Sequence, residues 1–534
     1  MTLVALLVVS GMTLRVVAAL RPGLWADEIF SLATATGHSL EHPPAAADPS
    51  LGDFVEPTGT VSPRIFDRYT EQDERPAGVR RVLRAVLLSD TSPPLYYLLL
   101  NRWSRAFGTG DAALRLFSVW WALLSLPLLW LLGRALGGQR VAWSACLLFC
   151  FSPVALFYSA EGRMYSLVVC LGLLLGWLTV QLASAHKNPW LAAIWVLVGA
   201  AGLLTHYFFV FVWIAFIGWL WLAGRNDRLR IMTLAGITML AVLPWYLEVP
   251  ASLSRWRVTG GWLNGELEFP QALANPLSLA GSLLSATTYL GGSKRGNILV
   301  ALILLVLAVC IWRQRSARPL FSHRALLLWA WLTAACVGPL AFDVLRHTTT
   351  SEIPRYVLPG LPAALLLVSL GMSQLSSRMH LALVSLLLLA WLPGSLATLS
   401  KVPRPWQPYP TVAAGLEAWA RPKDLVLISS IPSGVIGFSR YLRPDIELAS
   451  WVPQLHAREV PDMESLLKGR RRVALVRIHD AGGEAPAELW LRTHGRLIGT
   501  ETFRRSSAKV LYFAPLAGDT AFPSAAPLVR RAGE

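Results

Sequence analysis

Apolar segments long enough to cross a lipid bilayer recur along this sequence, and they constrain its fold more than any other feature. An α-helix rises about 1.5 Å per residue, so about 20 apolar residues cross a hydrocarbon core of roughly 30 Å. Such runs lie at or near residues 1–20, 111–133, 141–160, 163–184, 190–205, 207–223, 231–248, 297–312, 325–342, 356–372 and 380–398. The pattern predicts a polytopic α-helical membrane protein with about 11 transmembrane helices.

The first run has a second interpretation, a cleaved signal peptide ending near Val17, Ala18 and Ala19. No Lys or Arg precedes the run, so the positively charged segment typical of a signal peptide is missing. A start codon further upstream would account for the missing charge. We therefore expect a membrane span rather than a removed leader.

Composition agrees with a membrane protein. Hydrophobic residues make up 54% of the 534 residues, the mean hydropathy is +0.48, and 23 Trp residues suit interfacial aromatic belts. The net charge of +16 would suit nucleic acid, but the Arg residues interrupt apolar runs or lie in loops and in the C-terminal tail. We expect membrane lipid headgroups and phosphates as partners, and no nucleic acid.

All five cysteines fall inside apolar runs, which leaves the loops and the C-terminal part without a predicted disulfide or thiolate metal site: Cys146, Cys150, Cys170, Cys310 and Cys336. Cys146 and Cys150 share a helical face, and we interpret them as packing residues.

The charges of the short connections predict the topology. Five connections carry Lys or Arg and a single acid, Asp227: RALGGQR, HK, RNDRLR, WRQRSARPLFSHR and SQLSSRMH. They alternate with EGR, THY and acid-bearing loops at 249–296 and 343–355. By the positive-inside rule the basic set is cytoplasmic, which places the N-terminus inside and both the loop at 21–113 and the C-terminus outside.

Two domains are expected, a membrane domain at residues 1–400 and a small α/β domain outside the membrane at 401–534. The large first loop, 21–113, is predicted to hold interfacial helices at 78–88 and 95–108 and a mobile Pro-rich stretch at 41–60. In the C-terminal part, strand-like and helix-like segments alternate after a Pro-rich linker. It has no Gly-rich phosphate motif, and binding of an acceptor or partner and a purely structural role stay open alternatives.

Two adjacent acids, Asp27 and Glu28, follow the first apolar run. Acids are favoured at helix N-termini, so both could simply cap a helix that starts there. Neighbouring residues do not share a helix face, however, so one acid could cap while the other points into a cavity.

Further polar residues lie at the predicted outer ends of later runs: Glu161, Arg163, Tyr165, His206, Tyr207, Arg355 and Tyr356. Each alone could be an interfacial anchor or a member of an ion pair. Their coincidence on one side of the membrane predicts a polar cavity, because charged residues at the mouths of spans usually face the bundle or water. Acids together with several arginines suit a reaction in which a hydroxyl loses a proton while a phosphate leaves.

Four strings carry a family resemblance, and they occur in this order: LWADEIFSL, SPPLYYLLLNRWSRAFGTGDAALRLFSVW, SPVALFYSAEGRMYSL and PRYVLPGLPAALLL. With them the chain resembles the GT-C membrane glycosyltransferases of the protein O-mannosyltransferase and lipid A aminoarabinose transferase type, glycosyltransferase family 39, bacterial branch. The resemblance covers most of residues 1–400. The chain departs from many relatives at Ser92, where they carry His before the Pro pair.

The resemblance implies a GT-C fold in the bacterial plasma (inner) membrane and transfer of a hexose or pentose from a polyprenyl-phosphate sugar to a protein, lipid or glycan hydroxyl on the outer face. Asp27 matches the family's general base, and Glu28 would help to orient it or the acceptor. Arg355, with Arg163 as second choice, would bind the donor phosphate, and direct displacement would invert the anomeric centre. Glu161, Tyr165, His206, Tyr207 and Tyr356 would line the cavity. No cofactor is implied with certainty; a divalent metal could sit at the acids, but no His and carboxylate set has ligand spacing.

Two rival functions use the same residues differently. A transporter or lipid flippase would need charges within spans, whereas here the ionisable residues lie mostly at span ends, and no inverted repeat is visible. A noncatalytic assembly protein would depend on residues 401–534 and not on Asp27.

Overall fold

The computed structural model describes residues 2–89, 92–184, 188–223, 227–255, 257–259, 263–265, 268–313, 318–400, 406–453, 455, 460–479, 486–503, 505–516 and 521–522. Up to residue 400 the described helices are α1 (Thr2–Ala19), α2 (Ala26–Ala35), α3 (Val79–Ser89), α4 (Leu95–Phe107), α5 (Asp111–Phe151), α6 (Pro153–Ser159), α7 (Tyr165–Ser184), α8 (Pro189–Leu203), α9 (Phe209–Ala223), α10 (Arg228–Ser254), α11 (Phe269–Ser282), α12 (Lys294–Arg313), α13 (His323–Arg346), α14 (Leu361–Ser373) and α15 (Ser377–Leu399). A small hairpin, β1 (Thr287–Thr288) and β2 (Gly291–Gly292), precedes α12.

Helices occupy the predicted apolar runs, so the chain is a multi-pass membrane protein. Among the described residues, seven helical segments are long and apolar enough to cross a bilayer, and α1, α8 and α9 are shorter apolar helices. The long α5 contains two predicted runs, and Gly138 interrupts its helical backbone between them with φ 83°. The fold class is confirmed, while the number of about 11 spans stays a prediction.

The first loop, 21–113, contains the two predicted helices, α3 and α4, together with 3₁₀ turns at Pro44–Ala46, Pro49–Leu51 and Pro63–Tyr69. Two arginines of α3 form ion pairs within the loop. Arg81 pairs with Asp73 at 2.5 Å, and Arg84 pairs with Asp53 at 2.7 Å, so acids of the same loop neutralise them. Tyr96 of α4 is likewise fully buried.

The Pro-rich stretch at 41–60, expected to be mobile, is tied down by buried carboxylates. The Thr259 N–H donates to Glu41 at 2.7 Å, and the Val452 N–H donates to Glu56 at 2.8 Å. Because unpaired buried carboxylates are costly, these bonds fix the stretch between the membrane domain and the C-terminal domain.

The C-terminal domain is the predicted α/β unit. Its elements are α16 (Tyr409–Trp419), β3 (Asp424–Ser429), α17 (Pro432–Ser439), β4 (Leu448–Trp451), α18 (Val460–Leu467), β5 (Arg472–Arg477), α19 (Pro486–His494), β6 (Gly495–Thr502) and β7 (Lys509–Pro515). The strand order is β4-β3-β5-β7-β6, with β3 parallel to β4 and β5, and β7 antiparallel to β5 and β6. Pro403 and Pro405 of the predicted linker lie outside the described residues.

The sheet packs directly on the membrane domain. Val426 and Ile428 face one way and belong to the same apolar core as α2, whereas Leu425 and Leu427 face the other way into a separate core with α18 and α19. Val61 of the first loop pairs antiparallel with Leu448 and covers the β4 edge. The outer loop, the membrane helices and the C-terminal domain therefore meet at α2.

Candidate active site

The first turn of α2 presents the two acids in different directions. Asp27 and Glu28 are the second and third residues of the helix, after Trp25. The Glu28 carboxylate accepts from the Trp25 N–H at 3.3 Å, while the Glu28 N–H donates back to the Trp25 carbonyl at 2.9 Å. This reciprocal capping uses Glu28 and leaves the Asp27 side chain outside it.

Glu28 is fully buried, and both of its oxygens are hydrogen-bonded. Arg115 Nε donates to Oε1 at 2.8 Å and Arg115 Nη2 to Oε2 at 2.7 Å. The Gly162 N–H donates to Oε1 at 2.9 Å. The Glu28 carboxylate therefore holds α2 against α5 and the turn before α7, and its expected part in orienting the base or the acceptor stays a prediction.

Arg115 is a site residue that the sequence reasoning missed. It is 1% exposed, and besides Glu28 it donates to the carbonyls of Arg21 and Gly23, which fixes the return of the chain from α1 to α2. The signal was available, because a charged residue inside an apolar run needs a partner.

A second missed charge is Arg15, inside α1. Its guanidinium donates to the Phe149 carbonyl at 2.6 Å, the Cys150 carbonyl at 3.0 Å and Ser159 Oγ at 3.1 Å. A cation at the last carbonyls of a helix is electrostatically favourable. Arg15 thus fixes α1 to the C-terminal end of α5.

Asp27 forms a half-exposed ion pair with Arg355. Arg355 Nη1 donates to Asp27 Oδ2 at 3.1 Å, with the two side chains 16% and 31% exposed, respectively. The guanidinium also lies 5.9 Å from the Trp25 ring centre and 5.6 Å from that of Tyr356. Two residues expected to act together are thus in contact, although 328 positions separate them.

Arg355 is presented by the turn that follows α13. The buried Asp343 accepts from Thr348 Oγ1 at 2.6 Å, the Thr350 N–H at 2.8 Å and the Ser351 N–H at 2.7 Å. The chain then enters 3₁₀ turns at Thr350–Glu352 and Pro354–Gly360, the second of which carries Arg355. Asp343 was missed because an acid near a span end looks like any interfacial charge.

Arg163 and Glu161 are buried next to the pair formed by Asp27 and Arg355. Arg163 Nη1 donates to Ser31 Oγ of α2 at 3.0 Å and to Tyr97 Oη of α4 at 3.2 Å. Arg163 is 8% exposed and Glu161 is 2% exposed. Their positions join the first outer loop to the start of α7.

Aromatic contacts connect the other expected cavity residues. The Tyr165 ring lies 6.4 Å from that of His206, which in turn lies 6.2 Å from that of Tyr356. Tyr207 instead turns toward α10, where Trp245 Nε1 donates to its hydroxyl at 3.4 Å and Tyr246 packs at 5.8 Å. Tyr207 therefore braces the helix bundle next to the cluster.

Trp406 is another missed member of the site. Its ring packs at 6.1 Å from Trp25, 5.6 Å from Tyr289 and 6.3 Å from Phe157. These apolar faces border the Asp27–Arg355 pair and would favour an ordered, partly dehydrated ligand there.

The C-terminal domain completes the start of α2. Gln407 Oε1 accepts from the Ala26 N–H at 2.6 Å, and Tyr441 Oη accepts from the Leu24 N–H at 2.7 Å. Asp111 accepts from Arg440 Nε at 3.0 Å and from the Tyr441 hydroxyl at 2.6 Å, which fixes the domain to the beginning of α5. The segment carrying Asp27 is thus held by the C-terminal domain as well as by the membrane helices.

Tyr409 and His479 continue this contact. Tyr409 Oη lies 3.3 Å from Gln407 Oε1 and 3.0 Å from His479 Nε2. Burial lowers the pKa of His479 to about 4 against the opposing effect of the Asp27 charge, and burial together with that charge raises the pKa of Tyr409. Asp27 therefore lies close enough to both groups to act on them electrostatically.

Within the ranges that the structure describes, no group of three or more His, Cys, Asp or Glu side chains is arranged to hold a metal ion. The charged groups that meet at Asp27 are instead carboxylates and guanidinium groups.

Comparison with known proteins supports the fold and the resemblance. A family model described as dolichyl-phosphate-mannose-protein mannosyltransferase matches residues 91–247. ArnT from Cupriavidus metallidurans bound to undecaprenyl phosphate is similar in structure with a TM-score of 0.56 and 13% identity, covering 98% of this chain and 99% of that one. Its apo state gives a TM-score of 0.52 at 14% identity, covering 92% and 97%. No curated relative matches the chain by sequence.

These comparisons confirm the resemblance to GT-C glycosyltransferases of the protein mannosyltransferase and ArnT type, and they confirm the fold class. At this identity the structural likeness concerns the fold. The roles of single residues depend on the geometry described above.

Proposed function

We propose that this chain is an inverting glycosyltransferase that moves a hexose or pentose from a polyprenyl-phosphate donor to a hydroxyl acceptor on the outer face of the bacterial plasma membrane. The observation that carries the proposal is the half-exposed contact between Asp27 and Arg355 at 3.1 Å, at the mouth of the membrane helices. The similarity to ArnT, which has been crystallised with undecaprenyl phosphate, supports the choice of donor.

Asp27 serves as the general base in this proposal. Its carboxylate takes the proton of the acceptor hydroxyl while the hydroxyl oxygen attacks the anomeric carbon. The bond between that carbon and the phosphate oxygen breaks, and its electron pair leaves with the phosphate. Attack from the face opposite the leaving group inverts the configuration.

Arg355 stabilises the departing phosphate. Its guanidinium can form paired, charge-assisted hydrogen bonds, and Trp25 and Tyr356 limit its orientation. Arg163 contributes positive charge from its buried position beside Ser31 and Tyr97. Arg355 touches Asp27, so the base and the phosphate site lie within reach of one bound sugar, whose anomeric carbon would lie between them in an in-line displacement.

The test uses purified protein in lipid nanodiscs with a panel of polyprenyl-phosphate sugars and an envelope extract as acceptor. Asp27→Asn should lower release of polyprenyl phosphate by at least about 100-fold, the scale of general base catalysis, with an unchanged unfolding temperature. Asp445→Asn, at a 69% exposed acid of the C-terminal domain, is the matched control and should behave as wild type. Equal turnover in Asp27→Asn would remove Asp27 from the mechanism.

The proposed orientation has its own test. With the N-terminus cytoplasmic and the C-terminal domain outside, a tag placed after Glu534 should react with a membrane-impermeant reagent in intact spheroplasts. Reaction only after lysis would reverse the topology, and with it the outer-face assignment.

A further inference from the structure

The C-terminal domain faces the Asp27 site with the carboxyl ends of its parallel strands. Strands β3, β4 and β5 are parallel, and β3 lies between the other two, so the connections from β3 to β4 and from β4 to β5 run to opposite sides. The carboxyl ends of such strands form a crevice where ligands bind in open α/β sheets. His479 follows β5 at this edge and hydrogen-bonds Tyr409.

The backbone of His479 is unusual. It adopts φ 60°, in the left-handed region that residues other than Gly seldom occupy. Such conformations persist where the surrounding structure imposes them, often at functional sites. Residues 477 to 479 thus end the strand with a turn that keeps the imidazole against Tyr409.

We assign the proton of His479 from the hydrogen bonds around Gln407. Gln407 Oε1 accepts from the Ala26 N–H at 2.6 Å and from Tyr409 O–H at 3.3 Å. Since the single Tyr409 proton is used in this way, the Tyr409 oxygen accepts from His479 Nε2–H at 3.0 Å. In a neutral imidazole, Nδ1 then carries the lone pair.

The same chain of bonds leads to the catalytic turn. It runs from His479 through Tyr409 and Gln407 to the Ala26 N–H, the residue immediately before Asp27. His479 is a partly exposed residue. Burial is the main influence on the pKa of His479 and Tyr409, and the charge of Asp27 raises both pKa values as a second influence. Three hydrogen bonds thus connect this acceptor to the turn that carries Asp27, and the acceptor belongs to a domain separate from the residues assigned to the phosphate.

We propose that His479 is an acceptor-binding residue: its Nδ1 accepts a hydrogen bond from one hydroxyl of a polyhydroxylated acceptor and places a neighbouring hydroxyl at Asp27. Tyr409 is a positioning residue that fixes the tautomer and the ring orientation. The inference rests on the proposed glycosyl transfer and adds that the acceptor is bound between the membrane domain and the C-terminal domain.

His479→Gly removes the ring and relieves the left-handed strain, so it should fold. Lys423→Gly is the matched control, because Lys423 has φ 71° in the same domain but precedes β3 at the opposite edge of the sheet. With the envelope extract as acceptor, His479→Gly should raise the half-saturating amount of extract at least tenfold. Its dissociation constant for decaprenyl phosphate should stay within twofold of wild type, and Lys423→Gly should match wild type in both.

Tyr409→Phe should raise the half-saturating amount of extract about threefold or more, since it loses only the hydroxyl that fixes the ring. Wild-type acceptor saturation in His479→Gly, or an equal weakening of decaprenyl phosphate binding, would overturn the assignment. Full activity of Asp27→Asn would instead refute the proposed function. The acceptor saturation of His479→Gly would still show whether His479 binds the acceptor.

A readout without turnover completes the test. Diethyl pyrocarbonate modification of His479, followed by mass spectrometry, should be slowed at least threefold by the extract and not by decaprenyl phosphate. Unchanged modification in the presence of the extract would count against an acceptor at His479.

Discussion

The neighbouring acids Asp27 and Glu28 should respond in opposite ways to the same substitution. Glu28→Gln changes a carboxylate whose two oxygens each accept one Arg115 N–H and one backbone N–H. An amide has one oxygen, so its NH₂ group must face two donors in whichever orientation it takes. The site is fully buried, and water cannot replace the lost acceptor.

The expected cost follows from this geometry. Removing one partner of a buried ion pair costs about 3–5 kcal/mol, because the remaining charge is left uncompensated. Glu28→Gln should therefore lower the free energy of unfolding by about that amount. The double variant Glu28→Gln with Arg115→Met should cost less than the sum of the two single variants, since the second change removes the stranded cation.

The assay pairs unfolding with turnover. Unfolding of the purified protein by denaturant titration in micelles, followed by Trp fluorescence, gives stability, and release of polyprenyl phosphate gives activity. Asp27→Asn should keep wild-type stability and lose turnover, whereas Glu28→Gln should lose stability and keep turnover in the molecules that remain folded. A Glu28→Gln protein as stable as wild type but inactive would refute the structural role assigned to Glu28.

Three further substitutions probe the surroundings of this turn. Arg355→Lys should weaken decaprenyl phosphate binding about tenfold, as measured by a titration, because a single ammonium group cannot form paired hydrogen bonds. Asp343→Asn should lower turnover and the unfolding temperature together, since one oxygen that accepts from Thr and Ser groups is lost. The third is His38→Gln. Burial lowers the pKa of His38 to about 4 from 6.5, so the unfolded chain binds the proton first and stability falls as pH drops from 6.5 toward 4. For one such group this loss of unfolding free energy is about 3 kcal/mol. Denaturant titrations at pH 6.5 and at pH 4 should show a smaller loss in His38→Gln than in wild type. An equal loss in both proteins would contradict the role given to His38.

Apolar length and strand patterning could be read from the sequence because both are local. The runs at 163–184 and 297–312 became α7 and α12, and the first strand-like segment after the Pro-rich linker became β3. The sequence predicted two separate runs around Gly138, whereas the structure joins them in one interrupted helix, α5.

The different roles of Asp27 and Glu28 could not be predicted from the local sequence. Which acid is buried depends on the position of Arg115, whose contact spans 87 residues of sequence. The family resemblance and the charges at span mouths placed Asp27 and Arg355 in one predicted cavity, but neither predicted their direct contact. No sequence pattern linked Gln407 or His479 to α2, since only the docking of the sheet brings them there.

The acceptors that fix the start of α2 come from a distant part of the chain. Leu24 and Ala26 donate their N–H groups to Tyr441 and Gln407, respectively. Synthesis proceeds from the N-terminus, so the ribosome makes the general base hundreds of residues before the groups that hold its helix. A nascent chain that stops before residue 407 contains Asp27 but lacks both of these acceptors. Completion of the turn that carries Asp27 is therefore a late event in biogenesis, and under the proposed function a truncated product in the membrane would fail to use its lipid-linked sugar.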